Sequence, residues 1–100
     1  MKTRILEEAY KELNSAIDYY EGEQDGLGLR MFEEFERHVN WISENSSVPP
    51  LRQENYRRAN LRTFPYYIPY IVYNDTLWIL AVAHSHRKPE YWISRIDEIG

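Results

Sequence analysis

Cysteine is absent from the chain, which removes disulfides and thiolate metal ligands together and suits a reducing compartment. No apolar run approaches the roughly 20 residues that cross a bilayer. The first residues, Met1-Lys2-Thr3-Arg4-Ile5-Leu6-Glu7-Glu8, turn acidic before a signal core can form. The expectation is a cytoplasmic protein with no membrane association. Glycine is scarce, and Gly26 and Gly28 read as turn residues, not as part of a phosphate-cradling loop. Positive charge is in deficit too, with a net charge of −4, which argues against a general nucleic-acid binder. One hundred residues suffice for a single domain over 1–100 with one core.

The charge that is present is unevenly spread. Residues 1–47 carry five Lys/Arg against eleven Asp/Glu, and residues 48–100 carry seven against five. An acidic half joined to a basic half predicts a polarised surface. Nine tyrosines exceed what a minimal core needs, and their apolar bodies with polar tips suit a recognition surface as well as a core rim.

Residues 2–6 form a candidate first strand. From Glu7 to Glu23, Ala9, Leu13, Ala16, Ile17 and Tyr20 recur at steps of three and four, an amphipathic helix. Gly22, Gly26 and Gly28 bracket a short join to a second helix, whose core stripe is read as Phe32, Phe35, Val39 and Ile42. Pro49 and Pro50 end that helix. The period then changes from 3.6 to 2. A polar strand from about Glu54 to Thr63 precedes an apolar strand, Phe64 to Tyr73, and Asn74-Asp75-Thr76 turns the chain into a continuous strand, Leu77 to Ala83. Pro69 removes a ladder donor and is expected at an edge or a bulge. Pro89 is expected to open a last helix, Glu90 to about Ile96. The predicted fold is α+β: an antiparallel sheet of three or four strands packed against an N-terminal helix hairpin, with a short C-terminal helix. Pairing the last two strands brings Arg57, Arg58 and Arg62 to the same end of the sheet as His84, His86, Arg87 and Lys88.

That order of elements resembles the RelE/ParE toxin superfamily of bacterial type II toxin–antitoxin modules. The likeness runs through Ala16-Ile17-Asp18-Tyr19-Tyr20-Glu21 and Gly26-Leu27-Gly28 with Phe32 and Glu33. It continues in Arg57-Arg58-Ala59-Asn60-Leu61, Phe64-Pro65-Tyr66-Tyr67-Ile68-Pro69-Tyr70 and Ile79-Leu80-Ala81-Val82-Ala83-His84, and ends on Arg87, Pro89 and Tyr91-Trp92. The resemblance is closer to ParE-like than to RelE-like members. It implies a toxin neutralised by a small antitoxin whose C-terminal segment wraps its surface, in an oligomeric assembly. ParE-like members are associated with poisoning DNA gyrase without catalysis, whereas RelE-like members cut mRNA in the ribosomal A site.

The residues bear on that choice. Metal-free RNA cleavage needs an activated 2′-hydroxyl, a stabilised phosphate and a protonated leaving oxygen. Where the RelE-like strand carries an arginine, this chain has Tyr67. The groups left for a nuclease are Arg58, Arg62, His84, Arg87 and Tyr91, with imidazole the natural proton carrier near neutral pH. Each also has a structural reading: His84 as a satisfied strand-end histidine, the arginines as the solvated side of an edge strand, Tyr91 and Trp92 as anchors of the last helix. His84 and His86 lack a third ligand, so neither metal nor cofactor is expected. The functional expectation is a ParE-like toxin that inhibits DNA gyrase by protein–protein binding. The alternatives are a ribosome-dependent mRNA endoribonuclease and a non-toxic member that still binds antitoxin.

Overall fold

In a computed structural model, residues 1–53 and 55–99 are described, so Glu54 of the expected polar strand and the terminal Gly100 lie outside them. The elements run β1 (Lys2–Ile5), α1 (Glu7–Glu23), α2 (Leu27–Glu44), β2 (Arg57–Asn60), β3 (Tyr66–Tyr73), β4 (Thr76–Ile79), β5 (Ala83–His84) and a 3-10 helix at Ile93–Glu98. The strands form one sheet in the order β1-β4-β3-β2, with β5 also paired to β3. The sheet is mixed. Its β2–β3, β3–β4 and β3–β5 pairs are antiparallel, but β1 runs parallel to β4. The expected all-antiparallel sheet fails here because the helix hairpin is a long crossover. It carries the chain from β1 to β2 at the opposite edge in the same direction, and the β2–β3–β4 meander then lays β4 parallel beside β1.

Helix α1 buries Ala9, Leu13 and Ala16, as its period requires. Gly22 lies within α1 and not in the join, which is only Gln24 to Gly26. Gly26 takes a left-handed φ of 86°, and the Glu21 carboxylate accepts the amides of Gly26 and Gly28 at α2's unsatisfied start. A Cβ on Gly28 would stand 2.7 Å from the Ile17 carbonyl oxygen, so glycine lets the two helices close. The buried stripe of α2 is Met31, Phe35 and Ile42 with Val39 half-buried, and Phe32 faces solvent. The stripe differs from expectation by one position at its start: Met31, Phe35 and Ile42 fall within about 40° of one another at about 100° per residue, whereas Phe32 lies about 80° from Ile42, at the exposed rim.

Sheet faces follow from alternation. Tyr66, Ile68 and Tyr70 face the helices: Tyr20 meets Phe64 and Tyr66 edge-on, and the Tyr70 hydroxyl donates to the Ser46 carbonyl. Tyr67 faces the other way, where fully buried Trp92 donates from its indole to the Tyr67 hydroxyl at 3.0 Å. Asn74 and Asp75 form a two-residue turn, both at positive φ (50° and 55°), so Thr76 already belongs to β4 and not to the loop. The Leu77–Ala83 strand is interrupted. Tyr70 pairs with Ile79 but Tyr67 with Ala83, so Leu80, Ala81 and Val82 stand opposite only Ile68 and Pro69. This is a bulge, and Pro69 sits in it, accepting the Leu80 amide at 2.9 Å while offering no donor of its own. The last helix begins at Ile93, not Glu90, and is 3-10. Glu90 takes a positive φ of 60°, which a helix start does not allow.

Candidate functional site

Among the described residues strand β1 pairs with Thr76–Ile79 and ends there, so beyond Ile79 the outer edge of that run has no neighbouring strand among them. Glu12 of α1 fills the gap. Its carboxylate accepts the Val82 amide at 3.1 Å, the Tyr91 hydroxyl at 2.6 Å, and both terminal nitrogens of Arg95 at 3.0 and 3.1 Å. Arg95 also donates to the Leu80 carbonyl. Arg87 reaches Glu12 at 3.7 Å and lies over the Tyr91 ring, 3.8 Å from its centre. Burial, reinforced by the hydrogen bond to Glu12, pushes the Tyr91 phenol well above its ordinary value, so it stays protonated and serves as a donor.

Above this hub opens a groove of about 390 Å³ walled by Lys11, Glu12, Tyr19, Tyr66, His84 and Arg87. His84 pairs across the ladder with Tyr66, whose ring it meets edge-on at 5.0 Å. The His84 Nδ1 accepts the His86 amide at 3.0 Å, which assigns the proton of the neutral ring to Nε2. His86 stacks edge-on to His84 at 5.2 Å. Among the described residues no cluster of metal-ligating side chains forms.

The structure therefore gathers three of the expected residues, His84, Arg87 and Tyr91, and separates two. Strand pairing does bring Arg62 and His84 to the Tyr66 end of the sheet, but on opposite sides of β3, about 10 Å apart by two strand spacings. Their side chains line different grooves, Arg62 beside α2 and His84 beside α1. Arg58 is opposite Pro69, on the face away from the helices, with its guanidinium 4.4 Å over the Tyr67 ring and its Nε buried without a partner among the described residues. Arg57 is spent locally, donating to the Pro49 carbonyl at 2.6 Å. The single cationic rim is not formed, because period-2 alternation sends neighbouring arginines to opposite faces.

What the sequence reading missed is Glu12 and Arg95, which organise the hub. The signal was present in part: Glu12 lies three after Ala9 and four before Ala16, on the buried stripe, where a carboxylate needs partners. His38 is half-buried and contacts the Glu34 carbonyl at 2.9 Å. Chemically, the groove presents the His84 imidazole with its Nδ1 taken by the His86 amide. Its carboxylate, Glu12, is committed to Tyr91 and Arg95 beneath it, and Arg87, half-exposed, reaches Glu12 at 3.7 Å. That composition suits recognition better than acid–base work on a phosphodiester.

Residues 4–89 match the family described as "ParE toxin of type II toxin-antitoxin system, parDE". Among solved structures, the chain is similar to one titled "Chromosomal ParDE TA system from P. aeruginosa", with 17% identity over 84% of this chain and 95% of that one and a TM-score of 0.61, a likeness of fold. No curated protein matches in sequence.

Proposed function

The chain belongs to the ParE toxin family of type II toxin–antitoxin systems, and from that premise we propose that it acts in the cytoplasm by binding and inhibiting DNA gyrase, without catalysis, until a small cognate antitoxin covers it. The observation that carries this reading is the Glu12 hub. Of the groups a nuclease would use beside His84, Tyr91 donates to Glu12 and keeps its proton, and Arg87, half-exposed, lies over the Tyr91 ring within 3.7 Å of Glu12. Arg58 and Arg62, the other phosphate-binding candidates, lie outside the groove. The overall acidity of the chain also favours a protein target over ribosomal RNA. Tyr10, Tyr19, Leu29 and Phe32 are exposed on the helix hairpin and offer the apolar footing an antitoxin segment needs. Toxin and antitoxin would then form a joint oligomer.

Ribosome-dependent mRNA cleavage remains the second reading, favoured by one observation: His84 shares its groove with Lys11 and Arg87. One pair of assays separates the two. Purified protein added to a gyrase supercoiling reaction should inhibit it, and induction without antitoxin should raise the SOS response while mRNAs stay whole. Cut messages in a translating extract, with supercoiling untouched, would replace the gyrase reading by the nuclease. Harmless expression would point to the non-toxic member.

A further inference from the structure

A second groove, of about 420 Å³, lies between α2 and the edge strand β2, walled by Arg37, His38, Trp41, Pro49, Asn60 and Arg62. It belongs neither to the Glu12 hub nor to the groove of His84. Arg37 and Trp41 are four apart on α2 and so share a face. Arg62 arrives from the loop after β2, and that loop is anchored: the buried Glu34 carboxylate accepts the Arg62 amide at 2.6 Å and the Thr63 amide at 3.0 Å. Two arginines from different elements thus line one depression with no carboxylate in its wall among the described residues, although Arg37 also borders the adjacent depression of Glu33 and Glu34.

The treatment of arginine elsewhere makes this notable. Arg57 donates to a carbonyl, Arg58 lies over an aromatic ring, Arg87 reaches Glu12 at 3.7 Å, and Arg95 is paired with Glu12. The side chains of Arg37 and Arg62, like that of Arg30 at a neighbouring depression, make no hydrogen bond or ion pair among the described residues, in a chain whose net charge is −4. Trp41 stands beside them with 44% of its surface exposed. Forked guanidiniums match phosphate oxygens, and an open indole offers a stacking platform for a planar ring. The Asn60 carboxamide supplies both a donor and an acceptor.

We propose that the groove between α2 and β2 binds a small phosphorylated planar ligand of the nucleotide class, its phosphate between Arg37 and Arg62 and its base on Trp41. The groove has the size of a small-molecule site, and an acidic peptide would leave the indole unused. The chain's acidity would repel a long nucleic acid beyond the local contact. This inference is independent of the toxin's target.

The test follows the Trp41 indole N–H by NMR in the intact protein, assigned against Trp41→Phe. Ribonucleoside 5′-monophosphates and diphosphates, inorganic phosphate, a glutamate-rich decapeptide and a ten-nucleotide single-stranded RNA are titrated in parallel. A nucleotide should shift that signal saturably while the Trp78 and Trp92 signals hold still. Arg37→Gln and Arg62→Gln should each weaken the affinity at least tenfold. Both residues are exposed and the second variant keeps the backbone bond to Glu34, so the fold should persist. No saturable shift, indifference to both substitutions, or tighter binding of the peptide or the RNA at Trp41 would overturn the proposal.

Discussion

Glu12 and Glu34 occupy equivalent awkward positions, each on the buried stripe of a helix where a carboxylate must find donors or lose its charge. Glu12 finds side chains from the C-terminal segment and one strand amide. Glu34, 4% exposed, finds the Arg62 and Thr63 amides. Burial alone would raise the Glu34 carboxyl, yet the amides of Thr63 and Arg62 with the Thr63 side chain outweigh it and hold the group below its usual value. Its folded value being depressed, the stabilisation is complete above the unfolded carboxylate value of about 4.3 and disappears as pH falls through the lower folded value. Glu34→Gln should therefore cost about 1–3 kcal/mol at pH 7, and the gap between variant and parent should narrow below about pH 4. Urea midpoints at pH 7 and pH 3 measure it; a gap that does not change with pH would remove ionisation from the account. Neither partner set could be read from the sequence, because Val82, Tyr91, Arg95, Arg62 and Thr63 are all far along the chain and periodicity says nothing of which loop meets which stripe.

At the scale of elements, legibility followed the regularity of the pattern. The helices and β3 were readable because a sustained period of 3.6 or 2 leaves little choice of face. The break between β4 and β5 was not, since a continuous apolar run looks the same with or without one extra residue; only Pro69 hinted at it, through its missing donor. The parallel return of β1 was hidden for a related reason: strand direction is set by the crossover, not by composition. The turn at Asn74-Asp75 is where the local sequence and its geometry fit imperfectly. Both residues hold positive φ, and asparagine tolerates this better than aspartate, while glycine at the second place is the favoured partner. Asp75→Gly should stabilise the protein by about 0.5–1 kcal/mol, raising the melting temperature by about 2–8 °C for a domain of this size. A calorimetric midpoint at or below that of the parent would mean the Asp75 side chain contributes something the backbone geometry does not reveal.

For the molecule as a whole, the expected single cationic rim is replaced by two separate grooves, each drawing cations from both halves of the chain, Lys11 with Arg87 and Arg37 with Arg62, and this division bears on mechanism. The groove beside α1 contains a single side chain whose ordinary pKa lies near neutrality, His84, and its Nδ1 is already occupied by the His86 amide. If the toxin works by docking, His84 supplies only shape and one donor, Nε2–H. His84→Gln retains a comparable length and an amide donor but cannot carry a proton near pH 7. It should therefore inhibit gyrase supercoiling within about threefold of the parent, an energy difference below about 0.7 kcal/mol. A nuclease would respond otherwise, because losing a general acid or base costs about 10²–10⁴ in rate. Near-parental inhibition together with growth arrest on induction would thus fit recognition. Arrest abolished by His84→Gln, in a protein with unchanged melting, would instead demand a proton-transfer role for the imidazole and return the groove to catalysis.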